Sequence, residues 1–255
     1  MLEHDPKGNL ATRFMEELGL RFRALRLGIL FLRARWFKMP RSVRAAGKKV
    51  VLHYPPEHGV ACDFIGCCVR NGYGLRQELK DVKTILDIGA NVGFFSIAAR
   101  AYYPNAEIHA YEPNQRTFPF LKSNTEQLGI TVYQEAVGAD EGRVTIADEG
   151  DSNLAKTIAS ADGSIPQIAL QRAVERAGGV VDLLKLDCEG AEWEMFRSKV
   201  PWRQIRNVRM EYHLLDSHTP QEVEQTLNRL GLTVTRFEPS NGCGLIWAAR
   251  SDGNG

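Results

Sequence analysis

Thr84–Ser96 reads TILDIGANVGFFS. Ile85, Leu86 and Ile88 form a short apolar run suited to a buried strand. Gly89 and Gly93 bracket a tight turn, and Phe94, Phe95, Ile97 and Ala98 open a segment with helical apolar spacing. Strand, glycine turn and helix in succession begin a nucleotide-binding α/β unit. The glycines are expected to let a ligand lie on bare backbone, and the helix N-terminus offers free N–H groups.

Spacing narrows the ligand. A dinucleotide fingerprint, G-x-G-x-x-G, has a middle glycine where the pyrophosphate approaches. Here Gly89 to Gly93 is G-x-x-x-G, with Asn91 at its centre and Asp87 ahead of the first glycine. This spacing counts against an NAD-dependent oxidoreductase. An acid at Asp87 opposes a phosphate but suits an ammonium-bearing cofactor such as S-adenosylmethionine. The stretch resembles the first motif of Rossmann-like methyltransferases.

Downstream the apolar pattern alternates between strand and helix. Strands are predicted over Glu107–Tyr111, Ile130–Val137, Arg143–Ala147, Val180–Leu186 and Asn207–His213, with helices over Phe118–Leu128 and Pro220–Leu230. Leu232–Phe237 and Cys243–Ala249 flank the turn signal Pro239-Ser240-Asn241-Gly242 and predict an antiparallel hairpin at a sheet edge. The expected architecture is α/β: a Rossmann-like, mostly parallel seven-stranded sheet with helices on both faces. That domain is assigned to residues 71–250, behind a helical segment over 1–70.

In such a sheet ligands bind at the carboxyl ends of the strands. Asp87 and Gly89, Glu112, Asp187 and Glu189, and Glu211 and His213 all fall at or just past predicted strand ends. Glu112, at the tip of the second strand, is expected to accept two ribose hydroxyls, and Glu135 to meet the adenine. Tyr73, in the turn just upstream of the first core strand, is read as an ordinary turn aromatic with a second possibility of reaching the cleft. Asp151, Ser152 and Asn153, in the polar stretch Glu149–Ser164, are candidate substrate contacts.

ILDIGANVGFFS, AYEPN, EAVG, LLKLDCEGAEWEMF and MEYH occur in the order and spacing of the FkbM-type methyltransferase family, which this chain resembles over about residues 84–213. The resemblance implies transfer of a methyl group from S-adenosylmethionine to a hydroxyl of a sugar, glycolipid or polyketide-type metabolite. It implies cofactor contacts from Asp87, Gly89, Asn91, Gly93 and Glu112; Ala90, Phe94, Pro113, Asn114, Glu135 and Asp187 are further candidate cofactor contacts. It places Asp187, Glu189 and His213 at the reacting centre. The family's usual Thr-Leu-Asp after the mid-chain loop is replaced here by Ala169-Leu170-Gln171.

A hydroxyl acceptor needs a base, and His213 and Asp187 are the candidates, His213 for its intrinsic pKa and Asp187 for its place. A divalent metal held by Asp187, Glu211 and His213 is the less favoured arrangement, because their spacing is not diagnostic. No Asp/Asn-Pro-Pro-Tyr sequence marks amide or adenine nitrogen methylation, and Cys188 lacks the context of a cytosine-modifying nucleophile.

The net charge of +1 conceals an asymmetry: residues 1–60 carry twelve Lys/Arg against five Asp/Glu. Phe14, Leu18, Phe22, Leu25, Ile29, Leu32 and Trp36 recur at helical spacing, and Pro40 is the expected stop. Such a basic amphipathic helix packs on the catalytic domain or a second subunit, or makes peripheral membrane contact through residues 14–49. RNA methylation using this segment is the alternative function. Five cysteines without zinc or disulfide spacing, and no secretory signal, predict a cytoplasmic protein.

Overall fold

In a computed structural model of the chain, the described residues are 10–31, 37–75, 79–147, 156–197, 200–214, 218–239 and 242–250. Asp151, Ser152 and Asn153, with Leu32 and Trp36 of the N-terminal stripe, lie outside them. The quoted stretch forms strand β3 (Thr84–Ile88), the glycine turn, and helix α3 (Phe94–Tyr102). Its neighbours are β4 (Glu107–Tyr111), α4 (Phe118–Thr125) and β5 (Thr131–Tyr133). After an excursion the chain returns through α5 (Leu170–Arg176), β10 (Leu183–Leu186), the short helices α6 (Glu192–Met195) and α7 (Val200–Arg203), and β11 (Asn207–His213). Helix α8 (Pro220–Arg229) then leads into the hairpin β12 (Thr233–Glu238) and β13 (Cys243–Ala249).

The sheet order is β12-β13-β11-β10-β3-β4-β5, with β11, β10, β3, β4 and β5 parallel and the terminal hairpin antiparallel. This is the expected seven-stranded Rossmann-like sheet. From β3 the chain steps out to β4 and β5, then crosses back to β10 and β11. The switch point therefore lies between β3 and β10, where ligands bind in such folds.

Alternation along the strands separates two cores. Ile85 and Ile108 face α3, while Leu86, Leu184, Val208 and Met210 face α5 and α8. One row across the first face is polar: register places Asp87, Lys185, Arg209, Trp247 and Arg236 side by side on β3, β10, β11, β13 and β12. The guanidinium carbons of Arg209 and Arg236 lie 4.9 and 4.3 Å from the Trp247 ring centre.

Several boundaries differ from the sequence expectation. Ile130–Val137 is two strands, β5 and β6 (Ala136–Gly138), in different sheets. The excursion is a second, four-stranded sheet, in which β6 pairs with β9 (Ile165–Ala169), β9 with β7 (Gly142–Ala147), and β7 with β8 (Lys156–Ala159). Within the expected loop 149–164, β8 is thus a strand.

The N-terminal helix α1 (Leu10–Arg26) is shorter than expected. It stops at Gly28, whose left-handed φ of +72 is the usual device for ending a helix. The segment 1–70 is also not wholly helical. It continues through the hairpin β1 (Ser42–Ala45) and β2 (Lys48–Val51), then α2 (His58–Phe64) and a π-helical stretch, Ile65–Arg70. Ala24, Leu27, Val43 and Phe64 share one core with Ile85 and Phe94.

Candidate active site

A cavity of about 490 Å³ opens over the carboxyl ends of β3, β4, β10 and β11, within the range of roughly 300–1,000 Å³ usual for small-molecule sites. Of the residues singled out from the sequence, Gly89, Ala90, Asn91, Phe94, Glu112, Pro113, Asn114, Glu135, Asp187, Glu189, Glu211 and His213 line it. Asp87 and Gly93 stand behind the wall.

The two glycines also make room for the protein itself. Both are left-handed, at φ +74 and +89. A Cβ on Gly89 would lie 1.7 Å from the carbonyl oxygen of Asp187, and one on Gly93 2.9 Å from Leu121. The missing side chains make room first for other parts of the protein. Asp87 is fully buried, accepting a 2.6 Å bond from the Ser96 hydroxyl and lying 3.5 Å from Lys185 Nζ. Burial raises its pKa against the pull of Lys185 and Ser96.

Glu112 braces the cofactor side. Its two carboxylate oxygens accept from the backbone N–H groups of Asn91 at 2.7 Å and Asn114 at 2.8 Å. Asn91 is itself left-handed, at φ +48, so the acid fixes a strained turn. The carboxylate, with about four lone pairs, keeps capacity beyond these bonds and one from Thr117 for a ligand hydroxyl. Asn114 Nδ2 is buried without a hydrogen-bond partner, a donor left for a bound molecule. A cavity of this size, with a two-acceptor carboxylate and an unpaired donor side by side, fits the adenosyl portion of S-adenosylmethionine. Glu135 lines the wall while paired to Arg176 through both of its oxygens.

The opposite wall comes from the ends of β10 and β11. Lys185, buried in the apolar run of β10, donates to the Gly89 carbonyl at 2.5 Å and lies 3.4 Å from Asp187 Oδ2. Burial opposes its charge, yet Asp187 and Asp87 hold its pKa above the ordinary lysine value. The Tyr73 hydroxyl donates to the same Asp187 oxygen at 3.1 Å. The turn bearing Tyr73 is pinned by Trp247, whose indole N–H donates to the Gly72 carbonyl at 3.0 Å. Tyr73 therefore reaches the cleft, as the secondary reading of that turn allowed. The sequence signal for Lys185 is a lone charge in an apolar central strand, which demands a buried partner.

Beyond Asp187, Glu189 and His213 face each other at 3.5 Å, and His213 Nδ1 donates to the buried Glu192 at 3.0 Å. Burial pushes Glu189 up to about 7, with Asp187 adding to the rise and His213 opposing it. Burial works against the charged imidazole of His213, but its bond to Glu192 and the nearby Glu189 raise it to about 9. At neutral pH the ring is thus an imidazolium, which has no lone pair to take a proton. Asp187, Glu189 and His213 each offer an atom within 4.8 Å of the others, as do Glu211, His213 and Cys243. Cys188 lines the cavity with its thiol pKa raised well above normal, chiefly by burial, which suits a packing residue rather than a nucleophile.

Comparison with known proteins adds four likenesses. The sequence matches the methyltransferase FkbM domain over residues 87–233, more than half of the chain. It is 28% identical to methyltransferase 1 of Beauveria bassiana (strain ARSEF 2860), covering 58% of this chain and 70% of that protein. It is 25% identical to 31-O-demethyl-FK506 methyltransferase FkbM of Streptomyces tacrolimicus, covering 66% and 78%. Among solved structures, precorrin-6y C5,15-methyltransferase of Geobacter metallireducens GS-15 superposes with a TM-score of 0.46 at 18% identity, over 72% of this chain and 88% of that one.

Proposed function

The chain belongs to the methyltransferase FkbM-domain family, S-adenosylmethionine-dependent enzymes, and from that premise we propose that it methylates a hydroxyl oxygen of a sugar, glycolipid or polyketide-type metabolite. One observation carries the reading: the cavity sets a nucleotide-like wall, Gly89–Asn91 and Glu112–Asn114, against a wall holding Asp187, Glu189, Glu211 and His213. The residues of the first wall would hold a methyl donor across the cavity from the titratable groups of the second.

The sulfonium of the cofactor, when bound, supplies its own leaving group. What remains for the protein is alignment and proton removal. Of the three residues expected at the reacting centre, Glu189 lines the cavity beside His213 with its carboxyl pushed up to about 7 by burial, which suits a proton acceptor near neutrality. His213, held cationic by Glu192 and Glu189, fixes that carboxylate and offsets its charge. Asp187, engaged by Lys185 and Tyr73, orients the acceptor hydroxyl at the strand tip. Ile146 of β7 and Thr157 of β8 also line the cavity.

Calorimetric titration with S-adenosylhomocysteine, with NAD as control, tests the cofactor wall. A methyl-transfer screen over hydroxylated sugars, glycolipids and polyketides tests the acceptor class. Transfer to nitrogen acceptors or RNA, with none to hydroxyls, overturns the reading.

A further inference from the structure

Of the apolar stripe read from the sequence, Ile29 is buried and Leu18 half-buried, while Phe22 and Leu25 face outward. Inward, Ala24 and Leu27 are buried in the core, and Arg23 donates to the Val69 carbonyl at 2.6 Å. Outward, Met15, Phe22 and Leu25 are 65%, 59% and 66% exposed, and Leu30 just past the helix end is 81% exposed. Four of the eight large apolar side chains exposed among the described residues thus fall between Met15 and Leu30. At helical spacing Met15, Leu18, Phe22 and Leu25 occupy an arc of about 80°, with Arg21 on one side and Arg26 on the other.

Charge extends the surface. From Leu18 to Pro56 the chain carries ten Lys/Arg and no Asp/Glu. Beside the end of α1, the Arg44 side chain lies against Gly28, and Arg44 pairs in register with Lys49 across the exposed face of β1–β2. Among the described residues no helix is long and apolar enough to cross a membrane.

We propose that this face docks on an anionic lipid bilayer, with Met15, Phe22, Leu25 and Leu30 in the headgroup–acyl boundary and the arginines and lysines on lipid phosphates. An apolar centre between basic flanks matches an interface that is apolar below and anionic above. A second copy using the same face would crowd two sets of arginines together. RNA would take the arginines but leave Met15, Phe22 and Leu25 in water. Docking also places the active site near the bilayer. α1 rests on the π-helical stretch Ile65–Arg70, and Gly66 and Cys67 of that stretch line the cavity.

The test is co-sedimentation of the full chain with vesicles of phosphatidylcholine, alone or with about one-third phosphatidylglycerol, the range in which basic amphipathic surfaces respond to charge. The wild type is expected to bind the anionic vesicles, more weakly as salt rises. Phe22→Ser/Leu25→Ser is expected to weaken binding by about tenfold or more. Unchanged S-adenosylhomocysteine affinity of the double variant shows that it is folded. Three results overturn the proposal: no binding by the wild type at low salt, equal binding by the double variant, or a dimer dissolved by these substitutions in a protein that ignores vesicles. Vesicle binding is read without reference to methyl transfer, so it stands or falls apart from the assigned chemistry.

Discussion

The ammonium of Lys185 stands 3.5 Å from Asp87 Oδ1, fully inside the protein. The acid just ahead of the glycine turn is therefore matched by a cation on the neighbouring strand, its register partner, and the pair braces the floor of the cavity. Lys185→Met leaves Asp87 and Asp187 without their shared counter-charge. Breaking a buried pair from one side costs about 3–5 kcal/mol, read as a lowered urea midpoint. Asp87→Asn is expected to lower stability while leaving S-adenosylhomocysteine affinity of the folded protein within a few-fold.

Gly89 and Gly178 separate two meanings of a left-handed glycine. Gly178, at φ +86, has nothing within 4 Å of an added Cβ, so Gly178→Ala is expected to cost about 1–2 kcal/mol of backbone strain. Gly89→Ala adds the collision with the Asp187 carbonyl, and the expected loss is at least about 3 kcal/mol. Thermal unfolding of the two variants side by side measures the difference.

Proton transfer to Glu189 gives the pH profile a definite sign. Below about 7 the carboxyl is protonated and cannot accept a proton; above about 9 His213 loses the charge that holds it. Turnover is expected to rise through the first value, fall through the second and peak between them. Removing a cation raises a neighbouring carboxylate's pKa, so His213→Gln is expected to move the acidic limb upward. Glu189→Gln is expected to lose that limb and about 10²–10⁴-fold in rate.

Glu112→Gln keeps the shape of the cofactor wall but turns one acceptor into a donor facing a backbone N–H. The expected result is S-adenosylhomocysteine binding weakened by about tenfold or more, since a buried donor is left unpaired. Titration calorimetry on the folded variant reads it directly.

The parallel strands were legible because β3, β10 and β11 are buried on both faces and read as apolar runs or clean alternations. The rim acids were legible from their place at strand ends. The direction each one faces was harder to read. Asp87 belongs to the Ile85 face, which α3 covers, and only knowing which helix lies there turns it inward. The second sheet escaped because β6, β8 and β9 are 3, 4 and 5 residues long, too short for a period to emerge. The stripe in α1 was legible as a stripe. Which side of the helix met the core was not, because Leu20, Ala24 and Leu27 form a second, smaller apolar side.

Among the described residues the four-stranded sheet of β6, β9, β7 and β8 shares no strand pairing with the seven-stranded one, yet it contributes Ile146 and Thr157 to the cavity. A wall built as a separate part can be exchanged without redesigning the engine. Changes in the paired strands β7 and β8 are expected to alter that part of the wall, while Asp87, Lys185 and Glu112 stand on, or just past the end of, strands of the other sheet. Diversification within such a lineage, by nature or by an engineer, has a ready-made place to begin.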